Sequence, residues 1–233
     1  VKPRICVPLP VSDFSSVGPS VRRAEAAGAD LIELRFDYLK AEAFERLSML
    51  KGVVDGATVP LIATNRHHSQ GGQRLQDEKQ RVQILIEAAK LGFEYVDIEL
   101  TISNLRPTIR KVKSYGAKTI VSFHDFKGTP EISEMEKIAE SEVKAGAAVC
   151  KLVATANSLD DSVKCLLLTY KMSRDMDFIC FAMGKAGILS RVLSPLMGAW
   201  FTFASLESGL ETASGQTSID ELRQFYRRLG IYE

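Results

Sequence analysis

Eight times along this chain a short apolar run, rich in β-branched residues, is followed by a helical stretch or by room for one. The runs are Arg4–Leu9, Leu31–Phe36, Pro60–Asn65, Tyr95–Glu99, Thr119–Phe123, Ala148–Ala154, Phe178–Ala182 and Trp200–Ser205. Helical patterns between them include Val17–Ala27, Asp77–Leu91, Ile132–Ala145, Leu159–Met172 and Ile219–Leu229. Four runs are entered through related phrases, AAGADLIEL, KLGFEYVDIEL, SYGAKTIVSF and KAGAAVCKLV. Each phrase places a glycine just past a helix end, where a left-handed residue stops the helix. Such alternation predicts a parallel sheet covered by helices. Eight units within 233 residues favour a closed (β/α)8 barrel over a doubly wound sheet. With no linker or low-complexity stretch, residues 1–233 are expected to form one domain.

Charge narrows the partners. Thirty basic residues against twenty-nine acidic ones leave a formal charge of +1, which argues against nucleic acid and anionic membranes. Attraction for a small anion must therefore be local. A charged-then-apolar leader and a long uncharged apolar run are both missing, so a soluble cytoplasmic protein is expected. Cys6, Cys150 and Cys180 fall in apolar strands and Cys165 in an apolar helical run, without CxxC spacing. They read as buried thiols in a reducing compartment. The three histidines, His67, His68 and His124, carry no ligand motif, and no metal is expected.

Side chains alternate between the two faces of a strand, one of which points into a barrel. The charged exceptions within the runs obey that alternation. In LIELRFDY, Leu34 and Phe36 share the helix-facing side, while Glu33, Arg35 and Asp37 share the other. Thr64 and Arg66 share a face, as do Ser122 and His124, and Lys151 alternates with Cys150 and Leu152. Each exception alone has an ordinary explanation. Glu33 and Arg35 read as a simple ion pair, His124 as a hydrogen-bonded strand end, and Lys151 as an exposed strand boundary. Together they are costly to bury unless they share a polar site. All but Lys151 lie at or near the C-terminal end of a strand, where barrels carry active sites. Phe181 and Met183 need only core packing, and Lys111, Lys113 and Lys118 read as solvated.

A lysine in apolar, cation-rich surroundings is inclined toward its neutral amine, which attacks a carbonyl and forms an iminium. The iminium acidifies the neighbouring C–H, and a histidine removes that proton. β-Elimination of water from a hydroxyketone fits this pair. No organic cofactor is needed, because the lysine itself supplies the electron sink.

Five segments carry a resemblance to a known family. They are ELRFD at Glu33–Asp37, SFHDF at Ser122–Phe126, KLV at Lys151–Val153, MGKAGILSR at Met183–Arg191 and TASGQ at Thr212–Gln216. In this order and spacing the chain resembles the type I 3-dehydroquinate dehydratases, from its first strand to its last helix. The resemblance implies Lys151 as the Schiff-base lysine and His124 as the general acid/base, acting on 3-dehydroquinate. Glu33, Arg35 and Arg66 would contact substrate hydroxyls and carboxylate, Arg191 would clamp the carboxylate, and Thr212 and Gln216 would close over the substrate. The segment Glu207–Thr217 reads as a mobile lid. A homodimer is also implied. The chain departs from the family pattern in several places. Gln70 stands where many members carry a carboxylate, leaving an amide to orient His124. Pro8 replaces a serine, the lid lacks a proline before its glycine, and the chain begins almost at the first strand. Two other readings remain open. One is a class I aldolase or transaldolase-type Schiff-base barrel, with GKAG and SGQT cradling phosphate. The other is an inactive barrel used for binding.

Overall fold

All eight expected strands form, and each pairs in parallel with its neighbours. They are β1 (Ile5–Pro10), β2 (Leu31–Arg35), β3 (Leu61–Thr64), β4 (Tyr95–Glu99), β5 (Lys118–His124), β6 (Val149–Thr155), β7 (Phe178–Met183) and β8 (Thr202–Phe203). The computed structural model describes residues 2–232, without the side chains of residues 41–45. Strand order is β7-β6-β5-β4-β3-β2-β1-β8. Trp200 N–H donates to the Phe178 carbonyl at 2.8 Å, which draws the two edges together and nearly closes the barrel.

The last strand is shorter than its apolar run. Ser205 turns its backbone away from the barrel ladder, donating to Thr217 O and accepting from Ile219 N, each at 2.9 Å. That pairing anchors the end of the loop after β8, and the start of the helix that follows it, on the strand's end.

The helices are α1 (Val17–Ala26), α2 (Lys51–Gly56), α3 (Glu78–Leu91), α4 (Leu105–Lys113), α5 (Ile132–Ala145), α6 (Leu159–Met172), α7 (Ile188–Leu193) and α8 (Ile219–Arg228). The helix-ending glycines of the four repeated phrases have φ of 86° at Gly28, 103° at Gly92, 89° at Gly116 and 102° at Gly146. There the missing side chain permits the left-handed stop. Helix α8 opens with a capping box, in which Ser218 Oγ accepts from Glu221 N at 3.3 Å and Glu221 Oε2 accepts from Ser218 N at 2.9 Å. No helix among the described residues is long and apolar enough to cross a membrane.

Outward strand residues such as Val7, Ile32, Leu34, Ala63, Val96 and Val121 pack against the helices. Inward residues form a separate cluster that includes Cys6, Leu31, Ile62, Tyr95, Ile120, Val149 and Ile179. This plug fills the lower barrel and forms the floor of the cavity above it.

Candidate active site

The inward positions change character within one step along the strands. Leu31, Ile62, Tyr95, Ile120, Val149 and Ile179 are apolar. Two residues further on stand Glu33, Thr64, Asp97, Ser122, Lys151 and Phe181, all buried. Two further again stand Arg35, Arg66, Glu99, His124, Val153 and Met183. The period of two thus builds a polar storey directly on an apolar floor. Above it opens a cavity of about 380 Å³. Its lining includes every residue named from sequence: Glu33, Arg35, Arg66, Gln70, His124, Lys151, Arg191, Thr212 and Gln216.

Asp97 is the hub of the polar storey. Its Oδ2 lies 2.8 Å from Arg66 Nη2 and 2.9 Å from Lys151 Nζ, and its Oδ1 accepts from Ser122 Oγ at 2.6 Å. Burial opposes its charge, but Arg66 and Lys151 prevail and hold the Asp97 carboxyl well below the usual carboxylate range. Glu33 accepts from Thr64 Oγ1 at 2.7 Å and reaches within 3.8 Å of Lys151 Nζ. Lys151 is therefore neither at an exposed strand boundary nor in purely apolar, cationic surroundings. It is buried beside two carboxylates, with its Nζ 4.5 Å from the centre of the Phe203 ring.

Arg35 is held bidentately by Asp37, with Nε–Oδ1 and Nη2–Oδ2 both 2.8 Å. Arg81 Nη1 lies 2.8 Å from Glu99 Oε2. Among the described residues, five buried cations (Arg35, Arg66, Arg81, Lys151, Arg191) thus meet four buried carboxylates at or near the strand ends (Glu33, Asp37, Asp97, Glu99), while burial pushes the fifth buried acid, Glu142 on α5, well above the usual carboxylate range and towards its neutral form. The unmatched cation is Arg191, whose Nε and Nη2 are buried without a hydrogen-bond partner. Its guanidinium lies over the Phe181 ring at 4.3 Å. Burial pushes its pKa down to about 10, which still leaves it charged at neutral pH.

His124 ends β5 at the cavity wall, roughly parallel to the Phe126 ring at 6.3 Å. Burial, with Arg66 and Lys151 nearby, pushes its imidazole well below the usual 6.5. The neutral ring is a competent base. Gln70, expected from the sequence to meet the ring of His124, bonds instead to its backbone. Its Oε1 accepts from the His124 backbone N–H at 2.8 Å and its Nε2 donates to the His124 carbonyl at 3.2 Å, while His124 Nδ1 has no partner. An amide carries both a donor and an acceptor and can grip one residue's backbone at two points. A carboxylate, which only accepts, cannot do this. The adjoining Gly72 lets this loop approach its own start, because a Cβ there would lie 2.0 Å from the Arg66 carbonyl oxygen.

The loop after β8 crosses the mouth. Gln216 Oε1 accepts from Thr212 N at 2.9 Å, and Gln216 Nε2 donates to Thr212 Oγ1 at 3.2 Å. Ser214 O accepts from Gly184 N at 3.3 Å, docking this loop on the one after β7. Gly215, with φ +81°, sits where a Cβ would lie 2.6 Å from the Gly184 carbonyl oxygen. At β1, Pro8 carries no side-chain polar group.

Sequence reasoning missed Asp97, Glu99 and Arg81. For the first two the signal was present in YVDIEL, whose alternation puts Tyr95, Asp97 and Glu99 on one face. Arg81 comes from α3, where it reads as an ordinary helix-surface residue, and only packing shows that it faces β4.

Comparison with known proteins follows the same outline. The family model for type I 3-dehydroquinase matches residues 5–233. The 3-dehydroquinate dehydratase of Dehalococcoides mccartyi is 34% identical over 208 residues, covering 89% of each chain. The bifunctional 3-dehydroquinate dehydratase/shikimate dehydrogenase of Arabidopsis thaliana is 32% identical over 229 residues, which are 97% of this chain and 37% of that longer protein. The crystal structure of 3-dehydroquinate dehydratase from Geobacillus kaustophilus superposes with a TM-score of 0.92 at 26% identity, covering all of this chain and 93% of the other.

Proposed function

Because the chain belongs to the type I 3-dehydroquinase family, we propose that it converts 3-dehydroquinate to 3-dehydroshikimate and water through a Schiff base on Lys151. Lys151 loses a proton to solvent, and its Nζ attacks the ketone carbon. The carbonyl electron pair moves to oxygen and takes up a proton, and the resulting carbinolamine loses water to leave an iminium. His124 then removes the α-proton, and the C–H electrons form an enamine. The β-carbon–oxygen bond breaks as His124 returns its proton to the departing hydroxide. Water hydrolyses the conjugated iminium, freeing the enone and Lys151. The water lost in forming the iminium is regained in its hydrolysis, so the balance is substrate to product plus one water.

The observation that carries this reading is the unpaired Arg191. A buried guanidinium without a counter-ion stores an unmet demand for an anion. One excess positive charge in the site matches the single carboxylate of the substrate. In this reading Arg191 clamps that carboxylate, Glu33, Arg35 and Arg66 address hydroxyls and carboxylate, and Thr212 and Gln216 close the lid Glu207–Thr217. The phosphate-binding aldolase reading is disfavoured, because Gly184 N–H is already engaged by Ser214 O.

The reading includes a cytoplasmic homodimer. Four buried free thiols suit a reducing compartment. Helix α6 presents Leu159, Val163, Leu167 and Tyr170 along one face, and Leu159, Leu167 and Tyr170 are 60%, 55% and 52% exposed. Asp160 and Asp161 lie in the first turn of that helix, while Lys171 lies in its last turn and Arg174 just beyond it. A two-fold, antiparallel pairing of two α6 faces sets the acidic start of one against the basic end of the other.

The test is direct. Folded protein given 3-dehydroquinate should generate the ultraviolet absorbance of a conjugated enone. A protein that folds and binds the substrate without producing enone would support the inactive-barrel reading and overturn this one.

A further inference from the structure

Lys151 Nζ is confined on two sides. The Phe203 ring centre lies 4.5 Å away and Asp97 Oδ2 lies 2.9 Å away, which leaves the cavity as its free direction. The same Oδ2 separates Lys151 from the Arg66 guanidinium, two cations that would otherwise repel at close range. Ser122, through its bond to Oδ1, fixes the carboxylate's rotation, and Arg66 Nη1 donates to the same hydroxyl at 2.7 Å. Every contact made by Asp97 therefore serves to aim one charged oxygen at Nζ.

We propose that Asp97 is the positioning residue of the reaction, holding Nζ in place and supplying the standing counter-charge for the iminium that forms on it. This rests on the Schiff-base reading above. Nζ is cationic as the ammonium and again as the iminium, but neutral in the carbinolamine between them. A fixed carboxylate beside it favours both charged states and drives the carbinolamine to expel water. Asp97 is not the base of the reaction. Two cations and a hydroxyl donor already occupy its oxygens, and the base role remains with His124. Glu33 is a weaker candidate for the counter-charge, being 3.8 Å from Nζ and engaged by Thr64.

The test compares Asp97→Asn and Ser122→Ala with the wild type. Two quantities are read: the fraction of enzyme trapped by borohydride at saturating substrate, and kcat/KM against pH. In Asp97→Asn the trapped fraction at pH 7 should fall by about tenfold, and the acid limb of kcat/KM should move down by about one pH unit, because the site loses a negative charge. Ser122→Ala should move both in the same direction by less. A folded Asp97→Asn protein, judged by its thermal melt, that is uniformly slower but keeps the wild-type trapped fraction and limb would overturn the proposal. If Asp97→Asn does not fold, an unshifted limb in Ser122→Ala overturns it instead. Absence of trapping in the wild type would strike at the Schiff-base reading itself, a separate failure.

Discussion

A guanidinium sealed from water with no carboxylate beside it costs the fold free energy until an anion arrives. Arg191 is in that position, and replacing it should separate stability from recognition. Arg191→Ala should weaken binding of a shikimate-like acid by about 2–5 kcal/mol, with no loss of thermal stability. Arg191→Lys should recover only part, because an ammonium lacks the planar fork. Calorimetric titration checks both, and wild-type affinity in either variant contradicts the assignment. At His124 the sign of the pH effect follows from its surroundings. A base must be neutral, and burial with two nearby cations holds this imidazole neutral to well below 6.5. The acid limb of kcat, which reports the enzyme–substrate complex, should therefore lie below pH 6.5. Gln70→Glu adds a negative charge beside His124, favours the imidazolium, and should move that limb upward. A limb that stays put or falls would contradict that sign.

At the scale of elements, the alternation rule and the glycine stops were enough to locate the strands and the long helices. Helices α5 and α6 begin and end at the residues their patterns indicate. Weaker signals gave less. The apolar run Trp200–Ser205 shortens to Thr202–Phe203, because the Ser205 backbone pairs with Thr217 and Ile219, partners that no local pattern encodes. Helix α4, whose buried side is only Thr108, Ile109 and Val112, was visible mainly as a group of lysines. The exposed face of α6 is the element whose role is most readily tested. Sedimentation of the wild type should give twice the chain mass, and Leu167→Asp should give a single-chain mass with turnover retained. Asp160→Lys should loosen the pair, and adding Arg174→Asp should restore it. A wild type at single-chain mass at micromolar concentration, or a Leu167→Asp protein that remains paired, would rule this face out.

Across the whole molecule, the candidate site was legible because a barrel gathers the inward residues of successive strands, so separate oddities in sequence become neighbours in space. Glu33, Arg35, Arg66, His124 and Lys151 were each visible as a polar residue at an apolar position. Asp97 satisfies the same rule, but the strand holding it reads as an ordinary apolar run. Its importance lies in distances to Arg66, Ser122 and Lys151 that depend on how three strands are staggered. The partner of Gln70 was illegible for a similar reason, since an amide can bond to a ring or to a backbone and only geometry decides. Covalent chemistry at Lys151 would leave a trace that reductive trapping followed by peptide mapping can read. Borohydride should inactivate the enzyme only when substrate or product is present, the intact mass should rise by one ligand, and the added mass should map to Lys151. Trapping on another lysine, or dehydration that proceeds with no trapping at all, would contradict the account.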